Sequence, residues 1–144
     1  QTPFSRYKGY HYLANANLYF PSFATPPSVV LNAAYFHKDS LNQINFSSGF
    51  PFSRGYQAVN FYQMYKWGVN YHLPLALPDW GFADIIYFLR VRANLFYDDT
   101  EVKDFYSNKT PYSAGFRSTG TEIYLDTKWW NQVNISFGIR YSRL

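Results

Sequence analysis

The sequence contains no cysteine, few charged residues and no long apolar run, and each absence excludes a class of protein. With no cysteine among 144 residues, the chain can form neither a disulfide scaffold nor a cysteine-ligated zinc site. Charged residues make up 15% of the chain, against about 25% in an ordinary soluble domain. The longest apolar runs, such as residues 85–89, hold about five residues, whereas a membrane-spanning helix needs about 20. A helical membrane protein is therefore excluded.

Aromatic side chains take the place of the missing charges. Tyr, Phe and Trp form 23% of the chain, and apolar residues as a whole form 47%. Such a chain has ample apolar surface to bury, which excludes intrinsic disorder. The net charge is +4, but Lys and Arg form no cluster, so we expect no nucleic-acid partner. The first residues, Gln1 to Phe4, lack the features of a signal peptide and predict a processed chain or a fragment.

Apolar and polar residues alternate with a period of two along much of the chain, which predicts β-strands. The clearest segments are residues 61–73, 87–98, 120–127 and 133–142, and weaker ones are 10–20, 29–36 and 41–46. Turn-forming residues separate them, for example at 78–81 and 107–109. The sequence therefore predicts an all-β fold, an antiparallel meander of about seven or eight strands.

Two environments produce such strands, and three features favour a membrane. A soluble sheet turns its apolar face to a core, whereas an outer-membrane barrel turns it to lipid and its polar face to a lumen. The predicted strands hold about 10 to 13 residues, close to the 9 to 11 that cross a bilayer at a tilt. Aromatic residues gather near strand ends, as in an interfacial girdle. Charges of both signs lie on the polar faces, and we assign them to a lumen wall: Lys66, Arg90, Arg92, Asp98, Glu122, Asp126 and Arg140.

The segment from Gly49 to Tyr56 is a predicted loop that is unusually aromatic. In it, Gly55 lets the backbone bend tightly while the Arg54 guanidinium projects. One interpretation is that the segment folds back into a barrel lumen, where Arg54 forms a bidentate pair with Asp98. The other is an ordinary hairpin loop with one exposed arginine. The spacing alone leaves both open.

Four segments of the chain resemble motifs of the BamA/FhaC superfamily of outer-membrane assembly and secretion barrels. Phe52-Ser53-Arg54-Gly55-Tyr56 resembles its Val-Arg-Gly-Tyr/Phe loop signature, with Ser53 in place of the usual Val. Phe96-Tyr97-Asp98-Asp99-Thr100 resembles its Phe-x-Asp-x-Gly strand motif, with Thr100 in place of Gly. Residues 71–75, Tyr-His-Leu-Pro-Leu, resemble a strand end of the same family, and residues 120–142 resemble its penultimate strands, especially in Bacteroidetes-type members.

The resemblance implies that residues 1–144 are a partial transmembrane β-barrel domain, half of a barrel of about 16 strands. The remaining strands and the periplasmic modules would then lie outside this chain. It also implies a location in the bacterial outer membrane and a role in inserting or exporting outer-membrane and surface polypeptides. The expected partners are outer-membrane lipid, the rest of the barrel or partner subunits, and client polypeptides. The loop with Phe52, Ser53, Arg54, Gly55 and Tyr56 would contact the barrel-wall motif with Phe96 and Asp98.

Other interpretations remain open. A small OmpX-like or porin-like barrel would serve adhesion or passive permeation, and its eighth strand would have to lie within residues 47–59. A soluble β-sandwich would bind a ligand on exposed aromatic side chains. No catalytic motif is present, and His11, His37 and His72 lie far apart, so we expect no enzyme, metal site or cofactor. The neighbours Asp98 and Asp99 point to opposite faces of a strand and do not form a catalytic pair.

Overall fold

The computed structural model describes residues 9–21, 28–39, 49–83 and 85–144, and these residues form seven strands in one antiparallel sheet. The strands are β1 (His11–Pro21), β2 (Ser28–Lys38), β3 (Gln63–Ala76), β4 (Trp80–Phe82), β5 (Ile86–Phe105), β6 (Pro111–Trp129) and β7 (Val133–Arg143). The predicted all-β antiparallel meander is confirmed. In the part of the chain that the structure describes, no helix is long and apolar enough to cross a membrane.

Neighbours in the sheet are neighbours in the sequence. The order is β1-β2-β3-β5-β6-β7, and the short β4 pairs with the beginning of β5. Within the described residues the sheet is open, with β1 and β7 as its two edges. The described residues alone therefore do not form a closed barrel.

Several predicted boundaries change. The strands β5 and β6 are longer than predicted, with 20 and 19 residues, because the hairpin between them continues where apolar alternation has ended. Residues 78–81, predicted as a turn, include the first residues of β4. The predicted strand 41–46 lies outside the described residues. No strand forms within 49–59, so the described part of the alternative eighth strand is not found.

The alternation predicted for residues 87–98 is regular only in part. A β-bulge between Phe88 and Arg90 adds one residue to β5 opposite β6, so the period of two is broken there. From Arg90 to Asp98 the pairing with β6 is continuous, and these residues lie on the faces of the sheet that were predicted for them. A second irregularity lies between Pro74 and Ala76, where β3 approaches its end.

The two faces of the sheet differ in polarity, and the apolar face is the exposed one. Paired residues share a face, so the register defines both. The polar face carries the buried side chains of Asn70, Asn94, Asp98, Glu122 and Asp126. The apolar face carries Trp67, Leu95, Ile123, Phe137, Ile139 and Tyr141, and Ile139 is 80% exposed. An ordinary soluble sheet buries the opposite face.

A small apolar core lies on the polar face, at the end of the sheet where β2 ends and β3 begins. Phe36, Met64 and Val102 form a row across β2, β3 and β5, and all three are almost fully buried. Phe50 and Phe52, from the segment between β2 and β3, cover this row. The core therefore exists because a loop packs onto the sheet.

We expect Gly120→Ala to destabilise the sheet. A Cβ atom at Gly120 would overlap the carbonyl oxygen of Tyr141 and lie 2.9 Å from the Phe96 ring, so β7 and the ring must both shift. Such overpacking typically costs about 1–3 kcal/mol. The measurement is the urea midpoint of the purified protein. Gly115→Ala is the control, since no atom lies within 4 Å of its Cβ position, and equal midpoints for the two variants would contradict the prediction.

Candidate functional site

The segment from Gly49 to Tyr56, which we call the lumen loop after its predicted position, lies on the polar face of the sheet. Ser53 anchors its middle, because its hydroxyl is 2.7 Å from the Thr100 hydroxyl and donates to the carbonyl oxygen of Phe116 at 2.9 Å. Ser53 and Thr100 are both buried. These two residues are also the ones that depart from the superfamily motifs, so the two departures are in direct contact.

Arg54 makes the predicted contact with Asp98. Its Nε donates to Asp98 Oδ2 at 2.7 Å and its Nη2 donates to Oδ1 at 3.1 Å, which is a bidentate pair. The backbone N–H of Arg54 also donates to Oδ2, at 3.3 Å. The guanidinium lies over the Phe96 ring, 3.7 Å from its centroid, so a ring and a carboxylate together hold it.

Asp98 is fully buried and has a second cation. Lys66 Nζ lies 3.3 Å from Asp98 Oδ1 and also donates to the carbonyl oxygen of Phe52 in the lumen loop. Gly68, opposite Asp98 on β3, leaves the space that the carboxylate occupies, since a Cβ there would lie 2.5 Å from Oδ1. A buried charge is costly unless it is paired and hydrogen-bonded. Arg54 and Lys66 together satisfy that requirement.

The remaining part of the lumen loop reaches β6 and β7. Gly55 has a φ of +92°, which favours glycine, and a Cβ there would lie 2.8 Å from Leu144 Cδ2. Tyr56 donates a hydrogen bond to the carbonyl oxygen of Arg117, and its ring contacts the Phe116 ring edge-on. The loop thus spans the polar face from β3 to the end of β7.

A row of polar side chains extends from Arg54 across the sheet. Arg54 Nη2 donates to Asn70 Oδ1 at 2.6 Å, and Asn94 Nδ2 donates to Glu122 Oε2 at 2.8 Å. Arg140 Nε closes the row at Glu122 Oε1, at 2.5 Å. Glu122 therefore receives hydrogen bonds from β5 and β7, and its carboxylate also lies 3.5 Å from Arg54 Nη1.

A second charged group lies nearer the turn between β6 and β7. Arg90 and Arg92 both donate through Nε to Asp126 Oδ2, and Ser136 donates to Asp126 Oδ1. Arg92 also lies over the Tyr124 ring, 4.6 Å from its centroid. This arrangement of an arginine over a ring and beside a carboxylate repeats, one strand further along, the arrangement around Arg54.

All the charges predicted for a lumen wall therefore lie on one face. Arg54, Lys66 and Asp98 form one group, and Arg90, Arg92 and Asp126 form another, with Glu122 and Arg140 between them. Three further residues of the site, Asn70, Asn94 and Thr100, were not predicted to belong to it from the sequence. Their alternation with apolar neighbours places them on the polar face, but their partners depend on the strand register.

The chemistry of the site is structural ion pairing and hydrogen bonding. In the described ranges no group of three or more His, Asp or Glu side chains is placed to hold a metal ion. No protein-family model matches the chain, and searches among curated proteins and solved structures also find no match. The BamA/FhaC resemblance therefore stays a prediction from the motifs.

We expect Arg54→Ala to destabilise the protein, because it leaves the buried Asp98 with Lys66 alone. Breaking a buried pair typically costs about 3–5 kcal/mol. The urea midpoint of Arg54→Lys should fall between those of Arg54→Ala and the wild type, since lysine keeps the charge but lacks the planar fork of the guanidinium. The measurement is the urea midpoint of each purified variant.

The matched control is Arg143→Ala, which removes an exposed arginine of the apolar face, at the end of β7, that has no ion pair among the described residues. Substitutions at such exposed positions typically change the free energy of unfolding by no more than about 0.5 kcal/mol, so its midpoint should stay near that of the wild type. An Arg54→Ala midpoint equal to that of the control would show that the lumen loop is not held by Asp98.

Proposed function

We propose that this chain forms part of the wall of an outer-membrane β-barrel of the protein assembly and translocation type. The observation that carries the proposal is the reversed polarity of the sheet. The side chains that face outward, such as Ile139 and Tyr141, are apolar, and the face covered by the lumen loop holds the charges. In lipid this arrangement is the stable one, because an apolar face needs no water and charges pair in a hydrated lumen.

The length of the apolar face supports the same proposal. On β7 it runs from Val133 to Tyr141, and all its large apolar residues point to one side. About 9–11 residues of a tilted strand cross a bilayer. On β5 the same face becomes polar after Tyr97, where Asp99, Glu101 and Lys103 follow. The apolar stretch therefore ends while the strand continues, as expected where a wall leaves the membrane.

The connections support an orientation. Only residues 130–132 join β6 to β7, whereas residues 39–62 join β2 to β3 at the opposite end of the sheet. Outer-membrane barrels have short periplasmic turns and long extracellular loops. We therefore assign the turn at Trp130 to the periplasmic side and the lumen loop to the outer side.

The open sheet supports a role beyond a self-contained pore. The outer edges of β1 and β7 carry backbone groups with no strand partner among the described residues. In lipid each unsatisfied group costs several kcal/mol, so other strands must complete the wall. A strand edge of this kind can also pair with an extended client segment through main-chain hydrogen bonds. The inward Arg54 with Asp98 supports the assembly type, as its resemblance to the superfamily implies.

The test is membrane fractionation followed by a client-insertion assay. We expect the protein in the outer-membrane fraction, released only by detergent, and we expect its depletion to lower the amount of folded outer-membrane proteins. Depletion complemented with Arg54→Ala should restore less insertion than complementation with the control Arg143→Ala.

Two results would contradict this proposal. Extraction into buffer without detergent would favour the soluble β-sandwich. A membrane protein whose depletion leaves client insertion unchanged would favour the small pore-like barrel.

A further inference from the structure

The acidic groups on the turn half of the polar face are covered by arginines. Asp126 and Glu122 are buried, with 6% and 4% of their surface exposed. The side chains that bind them are far more exposed: 56% for Arg90, 39% for Arg92 and 51% for Arg140. A molecule that approaches this half of the face therefore meets guanidinium groups and not carboxylates. We call Arg90, Arg92 and Arg140 the arginine patch.

The arginines keep donors for a further partner. Arg90 and Arg140 hydrogen-bond to these carboxylates through Nε. Arg140 also has a side-chain hydrogen bond with Tyr124, and Arg92 donates through Nη2 to Asp126 Oδ1. Since a guanidinium has five N–H donors, each arginine still keeps donors outside these hydrogen bonds. Terminal amino groups in a planar fork fit the two oxygens of a carboxylate. The wall's own ion pairs therefore orient the arginines and leave part of each one for a ligand.

The charges on this half of the face do not balance. Strand alternation places Lys128 on the same side as Asp126, so four cations face two carboxylates among the described residues. An excess of positive charge lowers the free energy of a nearby anion. The sequence as a whole spreads its basic residues, and only the register brings these together.

The spacing of the patch fits an extended peptide. The Cα atoms of Arg90 and Arg92 are separated by roughly 7 Å on β5, but both Nε atoms donate to Asp126 Oδ2, so the two guanidinium groups lie side by side. Arg140 lies two strands away on β7, roughly 10 Å across the sheet. One acidic residue of an extended segment would therefore meet Arg90 and Arg92 together, and a second would meet Arg140.

We propose that the arginine patch binds extended polypeptide segments that carry more than one acidic residue. The inference rests on the proposed barrel and names the clients that its lumen wall would contact from the periplasmic side. The contact is electrostatic and hydrogen-bonded, and it requires no backbone pairing with the strand edges. Salt should weaken it, because the arginines are partly exposed.

The test uses the protein extracted intact from its native membrane in a neutral detergent. The probe is a fluorescent peptide of alternating Glu and Ser, compared with one of alternating Gln and Ser, and the readout is anisotropy. We expect the wild type to bind the Glu peptide and not the Gln peptide. Arg90→Gln should weaken binding about threefold, and Arg90→Gln combined with Arg140→Gln should weaken it on the order of tenfold.

Two further variants separate charge from folding. Arg90→Lys keeps the charge and should retain most of the affinity, while Arg143→Gln removes an exposed arginine from the apolar face and should leave binding unchanged. Equal binding of the two peptides, or full affinity in the double variant, would overturn the proposal. So would an equal loss in Arg143→Gln. Because anisotropy requires no client insertion, a failure here and a failure of the proposed function are distinct results.

Discussion

The arrangement of this protein depends on one buried carboxylate. Asp98 has no exposed surface, and a charge in that position must be paired and hydrogen-bonded to be tolerated. Lys66 supplies part of the compensation from the neighbouring strand. The bidentate pair comes from Arg54, and this fixes the lumen loop on the polar face. The aromatic residues of the loop then create the small apolar core that the sheet would otherwise lack.

The position of the loop decides which face of the sheet stays outside. The loop covers the polar face, and large apolar residues on the opposite face are exposed in the described part of the chain. The same physical unit recurs on the next strand. Phe96 and Asp98 of β5 hold Arg54 of the lumen loop, and Tyr124 and Asp126 of β6 hold Arg92 of β5. In each unit a ring and a carboxylate two residues apart orient one guanidinium, so each of the two strands binds an arginine in the same way.

Much of this was readable in the sequence, and the missing parts have physical reasons. The alternation of apolar and polar residues predicted the meander and placed Lys66, Asp98 and Glu122 on one face. The Arg54–Asp98 contact was predicted from the loop composition and the motif resemblance. The full length of β5 was missed, because charged residues after Tyr97 hide a strand that continues beyond the apolar stretch. The contacts of Asn94 and Thr100 were missed because they depend on register, which alternation does not define.

The central claim is that the apolar face contacts lipid and the polar face contacts water. The absence of cysteine makes a direct measurement possible, since a single introduced thiol is the only one in the chain. Ile139→Cys and Arg140→Cys place that thiol on neighbouring residues of opposite faces in β7. In permeabilised outer membranes, a water-soluble maleimide should label Arg140→Cys and leave Ile139→Cys unlabelled until detergent or denaturant is added. Rapid labelling of Ile139→Cys in the intact membrane would contradict the account.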